Sequence, residues 1–193
     1  MRSDVIRVSS RDDQIRLVVE QMEKVAVYKG LSPKDALHLR LLSEEMMGMM
    51  RAITGRVEGS FWVEDEDGEF RLHLQCRTDM DQARREKLLS VSTSGVNEAE
   101  RGLMGKIRCF FEPVDDAPPF FDLEMEEGMD HEAVWSMRSY RDQLDYYIRQ
   151  DRRDALKAWD ELERSVVAKL ADEVKVNIRG RSVEMVIYKK MGC

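Results

Sequence analysis

"SFWVEDEDGEFRLHLQC", residues 60–76, is the stretch that decides the fold class. Phe61 and Val63 lead into an acidic turn, EDEDG, with Asp67-Gly68 at its tip. Phe70, Leu72, Leu74 and Cys76 then alternate with Glu69, Arg71, His73 and Gln75. A period of two on both sides of an Asp-Gly pair is the signature of a hairpin with one buried and one wet face. His73 falls on the wet phase, so alternation makes it a surface residue rather than a ligand.

Upstream of the hairpin the period changes to that of helices. Residues 4–8 (DVIRV) suit a short strand. Ser10-x-x-Asp13 resembles a capping box and opens a helix in which Ile15, Val18, Met22 and Val25 keep helical spacing, closed by Gly30. A second helix follows at once, with Ser32 as N-cap, Pro33 in the first turn and Asp35 three residues on from the cap. Leu39, Leu42, Met46, Met49 and Ile53 form its apolar stripe, and Gly55 ends it. Inside that helix Glu44 and Glu45 precede Gly48, which is flanked by Met46, Met47, Met49 and Met50. Glycine within a helix costs about 1 kcal/mol relative to alanine, so Gly48 marks either the remnant of a ligand cavity or a place where another element packs close.

Downstream, residues 78–95 combine a short helical piece with a small-residue loop. Asn97-x-x-Glu100 caps a helix carrying Leu103, Ile107 and Phe110 with Gly102 and Gly105 inside it. Residues 112–130 hold three of the four prolines and many acids, the composition of a surface loop or linker. Residues 131–171 are helical in character with a break near Gln150-Asp151. One stripe is Val134, Met137, Leu144 and Ile148; the other is Ala155, Trp159, Leu162, Val166 and Leu170. The last residues return to period two, with Val174, Val176 and Ile178, a turn at Gly180, then Val183, Met185 and Ile187: a closing hairpin. Paired strands with helices collected between them predict an α+β two-layer sandwich, a mixed and mostly antiparallel sheet with helices on one face. Residues 1–193 read as a single domain in which 113–171 form a loop and helical insertion.

The 193 residues are 42% hydrophobic and 36% charged, ordinary globular values, and the net charge of -7 argues against non-specific nucleic-acid or anionic-membrane binding. Cys76, Cys109 and Cys193 form no CxxC pair, and with three histidines (38, 73, 131) a His/Cys zinc site is not expected. No stretch approaches the roughly 18 apolar residues of a membrane span, so a reducing cytoplasm is the expected setting. P-loop, GxSxG and HExxH motifs are absent. Arg149, Arg152, Arg153 and Lys157 form a basic cluster amid the aromatics Trp135, Tyr140, Tyr146, Tyr147 and Trp159. Solvated charge and core packing are the default account of both, and exposed members of either set mark a docking surface.

Several segments together resemble the histidine-kinase-type ATPase family (the GHKL or Bergerat fold), particularly the small bacterial anti-sigma-factor serine kinases. "LLSEEMMGMMRAITG" is similar to that family's helix bearing Glu-x-x-x-Asn. "FRLHLQCRTDMD" stands at the strand that runs into Asp-x-Gly-x-Gly, "STSGVNEAERGLMGKIRCFFE" at the lid and glycine-bearing helix, and "DEVKVNIRGRSVEMVIYKK" at the closing strands. The resemblance spans roughly residues 1–112 and 172–190. It implies ATP and magnesium as cofactors, Glu44 as general base, and Gly48, Asp79, Gly102 and Gly105 as nucleotide-binding positions. The departures are specific. The family's magnesium-holding Asn is Gly48, which has no oxygen ligand to offer, and the chain's other candidates are only Asn97 and Asn177. Beyond Asp79 the two motif glycines are Asp81 and Ala83. Gly102 and Gly105 lie inside the helix after Asn97, where close packing competes with phosphate binding.

The expectation is therefore a cytoplasmic bacterial regulatory protein on this scaffold, binding a protein partner (a sigma factor or anti-anti-sigma-like protein by analogy), with nucleotide binding lost or altered. No membrane, nucleic-acid or metal partner is expected, and a homodimer is implied by analogy. The alternatives are an active ATP-dependent serine kinase or ATPase with Glu44 as base, and an unrelated α+β interaction domain.

Overall fold

The structure, a computed structural model, describes residues 1–9, 12–54, 58–77, 132–179 and 182–192. Six strands form one open sheet: β1 (Ile6–Ser9), β2 (Glu58–Glu66), β3 (Glu69–Arg77), β4 (Glu132–Ser136), β5 (Glu173–Arg179) and β6 (Ser182–Lys190), in the order β1-β2-β3-β6-β5-β4. Five helices lie among the described residues: α1 (Asp12–Lys29), α2 (Pro33–Thr54), α3 (Met137–Arg149), α4 (Arg153–Arg164) and α5 (Val166–Leu170). The class is α+β, as the two periods predict. All five described strand pairings are antiparallel.

Local chemistry explains the main boundaries. Asp67 (φ 50°) and Gly68 (φ 81°) both adopt the left-handed conformation that a two-residue type I′ turn requires. The Gly68 N–H donates to Asp65 Oδ1 at 3.2 Å, which fixes the tip. At the start of α2 the Asp35 N–H donates to Ser32 Oγ (3.1 Å) while the Ser32 hydroxyl donates to Asp35 Oδ2 (2.8 Å), a reciprocal cap. Gly30 (φ 62°) ends α1 in the left-handed position that suits glycine.

One core unites the layers. Phe61, Val63, Phe70, Leu72, Leu74, Val174, Val176, Val183, Met185 and Ile187 are fully buried on one sheet face. Against that face lie Val18 and Met22 of α1 and Leu39, Leu42, Met46 and Met50 of α2, all at most 1% exposed. Each such side chain contributes about 1.5–3 kcal/mol through burial. An ion pair between Lys29 and the buried Asp65 ties the end of α1 to the turn of the hairpin.

The sequence reading needs correction at residues 132–136. The stripe Val134, Met137, Leu144, Ile148 predicts one helix, yet Glu132–Ser136 is strand β4, paired with β5 from Glu132↔Arg179 to Ser136↔Lys175. The segment read from sequence as a helical insertion thus supplies an edge strand to the sheet. Its run of strand-forming residues (Val134, Trp135) is too short to display a period of its own, and Ser136 then caps α3 by accepting from the Ser139 N–H at 3.2 Å. The buried Glu173 helps by accepting from the Arg138 N–H at 3.2 Å. The break at Gln150-Asp151 is present, with Asp151 at φ 60°. A second break at Ser165 separates α4 from α5 and leaves Val166, expected on the apolar stripe, 40% exposed.

Candidate functional site

The residues singled out on α2 take different positions from its methionines. Met46, Met47, Met49 and Met50 all point into the core, whereas Gly48 is exposed and a Cβ added there meets nothing within 4 Å. Among the described residues, close packing of another element therefore does not account for Gly48. Glu44, one turn earlier, is half exposed, and its Oε1 accepts from Arg40 Nε at 3.1 Å. Arg40 Nη1 in turn lies 4.0 Å from Glu23 Oε1 of α1. Glu44 stands on a groove of about 340 Å³ between the two helices, shared with Ile15, Arg16, Val19, Glu20, Glu23 and Arg40. The structure thus sets Glu44 and Gly48 along one helix face. Asp79, Gly102 and Gly105 lie outside the described residues, as do Asp81, Ala83, Cys109 and the Ser10 cap.

The second sheet face carries a denser constellation. Register puts Trp62, His73, Val186 and Lys175 in one row across β2, β3, β6 and β5, and Glu64, Arg71, Tyr188 and Glu173 in the next. Trp62 and His73 stack with ring centroids 4.7 Å apart and planes 6° from parallel. His73 Nδ1 lies 3.3 Å from Glu184 Oε1 and Nε2 3.6 Å from Glu64 Oε2, so the imidazole is flanked by two carboxylates. The Trp62 indole N–H donates to Glu64 Oε1 at 3.2 Å. Arg2 joins from the chain's first residues, its Nε 3.5 Å from Glu64 Oε1 and its guanidinium 5.4 Å from the centre of the Trp62 ring.

Tyr188 anchors the adjoining half of the face. Arg71 and Lys175 stand 5.9 Å and 5.5 Å from its ring centre, within cation–π range. Burial pushes the Tyr188 hydroxyl above the usual phenol range, and Arg71 works against that. The Arg71 guanidinium is held above its ordinary value first by its hydrogen bond to Glu69 (2.9 Å). Glu66 pairs with it as well, at 3.1 Å.

Alternation placed His73 on the correct face, yet its side chain is only 14% exposed, with the Trp62 ring stacked on it and Glu64 and Glu184 at its two nitrogens. Sequence reasoning passed over Trp62 and Tyr188. The available signal was a large aromatic at the wet phase of each alternating strand.

The basic and aromatic residues from β4 to β5 are less concentrated than their sequence suggests. Arg149 pairs with Asp145 on its own helix, and Arg152 lies 5.7 Å from the Tyr147 ring centre. Trp135 and Tyr140 are buried, whereas Tyr146 is 59% exposed. The described histidines, cysteine and acids form no group of three that could hold a metal ion, and no described helix is long and apolar enough to cross a membrane. Cys76 is a core residue whose thiol burial pushes up to about 12.

Comparison with known proteins gives no matching family model, no matching curated protein and no matching solved structure.

Proposed function

We propose that this chain is a bacterial regulatory protein that acts by binding a protein partner through the second face of its sheet, on a scaffold resembling the histidine-kinase-type ATPases. One observation carries the reading: the partly exposed Trp62 and Tyr188 flank the more deeply set His73 and the buried Val186 across three adjoining strands, rimmed by Arg2, Glu64, Arg71, Lys175 and Glu184. Aromatic residues and arginine are the enriched components of protein interfaces, and an aromatic centre with a charged rim is their usual anatomy. Two segments far apart in sequence, the hairpin at 58–77 and the closing strands at 173–190, meet in this one surface. Nucleotide chemistry is lost or altered in this reading, since the magnesium-ligand position is Gly48 and the base position, Glu44, is engaged by Arg40. A cytoplasmic setting, a sigma-factor or anti-anti-sigma-like partner, and a homodimer belong to the same proposal by analogy.

Affinity capture from bacterial cytosol with the wild type and with Trp62→Ala/Tyr188→Ala, each first shown to be folded by circular dichroism, tests it. The expected result is a reproducible set of proteins captured by the wild type and by Glu44→Ala, and lost with the double variant. An identical set from the double variant overturns the choice of face. A second reading, an ATP-dependent serine kinase or ATPase, draws support from the place of Glu44 on the α1–α2 groove. A third, an unrelated α+β interaction domain, draws support from the antiparallel pairing of every described strand.

A further inference from the structure

Away from the sheet face, α3, α4 and α5 enclose an open cleft of about 490 Å³ lined by Arg141, Trp159, Leu162, Glu163, Ala168 and Lys169. Its apolar part is Leu162 and Ala168, both buried, and the half-buried Trp159. Arg141 enters from α3 and Lys169 from α5, so two cations from separate helices border one apolar surface. Glu163, the single acid among the described lining residues, receives the Trp159 indole N–H at 3.0 Å. Arg141 donates through Nη2 to the carbonyl of Ala168 and has no carboxylate partner among the described residues; nor has Lys169.

Those features define a ligand by its chemistry. A guanidinium that spends one of its five N–H groups on a backbone carbonyl retains donors in the geometry that suits a carboxylate. An ammonium beside it adds a second charge, and an indole with a leucine offers a surface for an apolar body. The volume falls in the range of about 300–1,000 Å³ usual for small-molecule sites. We infer that this cleft binds a small organic carboxylate with an aromatic or aliphatic body, the carboxylate at Arg141 and Lys169 and the body against Trp159 and Leu162. This site is separate from the sheet face and does not depend on the proposed partner.

The test is a titration of the full chain with sodium 3-phenylpropionate and, in parallel, its neutral amide, read on the indole N–H resonances of the three tryptophans. The expected result is a saturable shift of the resonance that disappears in Trp159→Phe, with the amide about tenfold weaker, the effect of losing one charge-assisted hydrogen bond. Lys169→Gln, whose side chain is exposed and unpaired among the described residues, weakens the acid and not the amide. Arg141→Gln does the same if thermal unfolding shows it folded. Equal affinity for acid and amide, a shift confined to another tryptophan, or Lys169→Gln binding the acid like the wild type would each overturn the inference.

Discussion

At the scale of single residues, Gly48 and Gly59 make opposite predictions. Gly48 is helical, exposed and open around its Cα, so Gly48→Ala is expected to stabilise the protein by up to about 1 kcal/mol, measured as a higher denaturant midpoint. Gly59 faces the carbonyl of Gln75, and a Cβ there would come within 2.8 Å of Cys76 Sγ. Gly59→Ala is therefore expected to lower the midpoint, since backbone must move to admit the methyl group. Cys76 adds a pH dependence of definite sign. Its folded thiol keeps the proton up to about 12, whereas the ordinary value is 9.0, so above pH 9 the unfolded chain is the form that sheds a proton. Its contribution is intact below that pH and lost between 9 and 12, at no more than about 1.4 kcal/mol per pH unit. Chemical denaturation across that window checks it, with Cys76→Ala expected to flatten the fall.

Elements were legible where a period ran long enough. In α2 the stripe Leu39, Leu42, Met46, Met49 is buried as spacing requires, and both the Ser32 cap and the Gly30 stop stand where they were predicted. Ser32→Ala is expected to cost about 0.5–2 kcal/mol in urea unfolding, because the Asp35 N–H loses its acceptor. The β2–β3 and β5–β6 hairpins were equally plain, since one face of each meets the core and the alternation is clean. Strand β4 was not legible. Five residues ending in a helix cap carry too few repeats to separate a period of two from one of 3.6, and a strand at the sheet edge is specified mainly by its partner, β5. The candidate site was legible only in part for a related reason. Sequence gives the face on which Trp62, His73 and Tyr188 fall, but their convergence depends on β3 pairing with β6 across more than a hundred residues.

At the scale of the whole molecule, the described residues form a helical layer laid on one face of a six-stranded sheet, whose other face bears the aromatic and charged rows. Lys29 and Asp65 join the layers at the hairpin turn, with the Asp65 side chain 4% exposed. Asp65→Ala would remove this ion pair and leave the Gly68 N–H without its acceptor, and is expected to cost about 1–3 kcal/mol by equilibrium unfolding, the range for losing a hydrogen bond to a charged group. Function at this scale turns on whether the scaffold works by contact or by nucleotide chemistry. The most direct measurement is calorimetric titration of the purified protein with ATP and ADP, with and without magnesium. Our account predicts no binding heat up to millimolar nucleotide. Micromolar, magnesium-dependent binding that weakens in Glu44→Ala would contradict it and make α2 part of an active site.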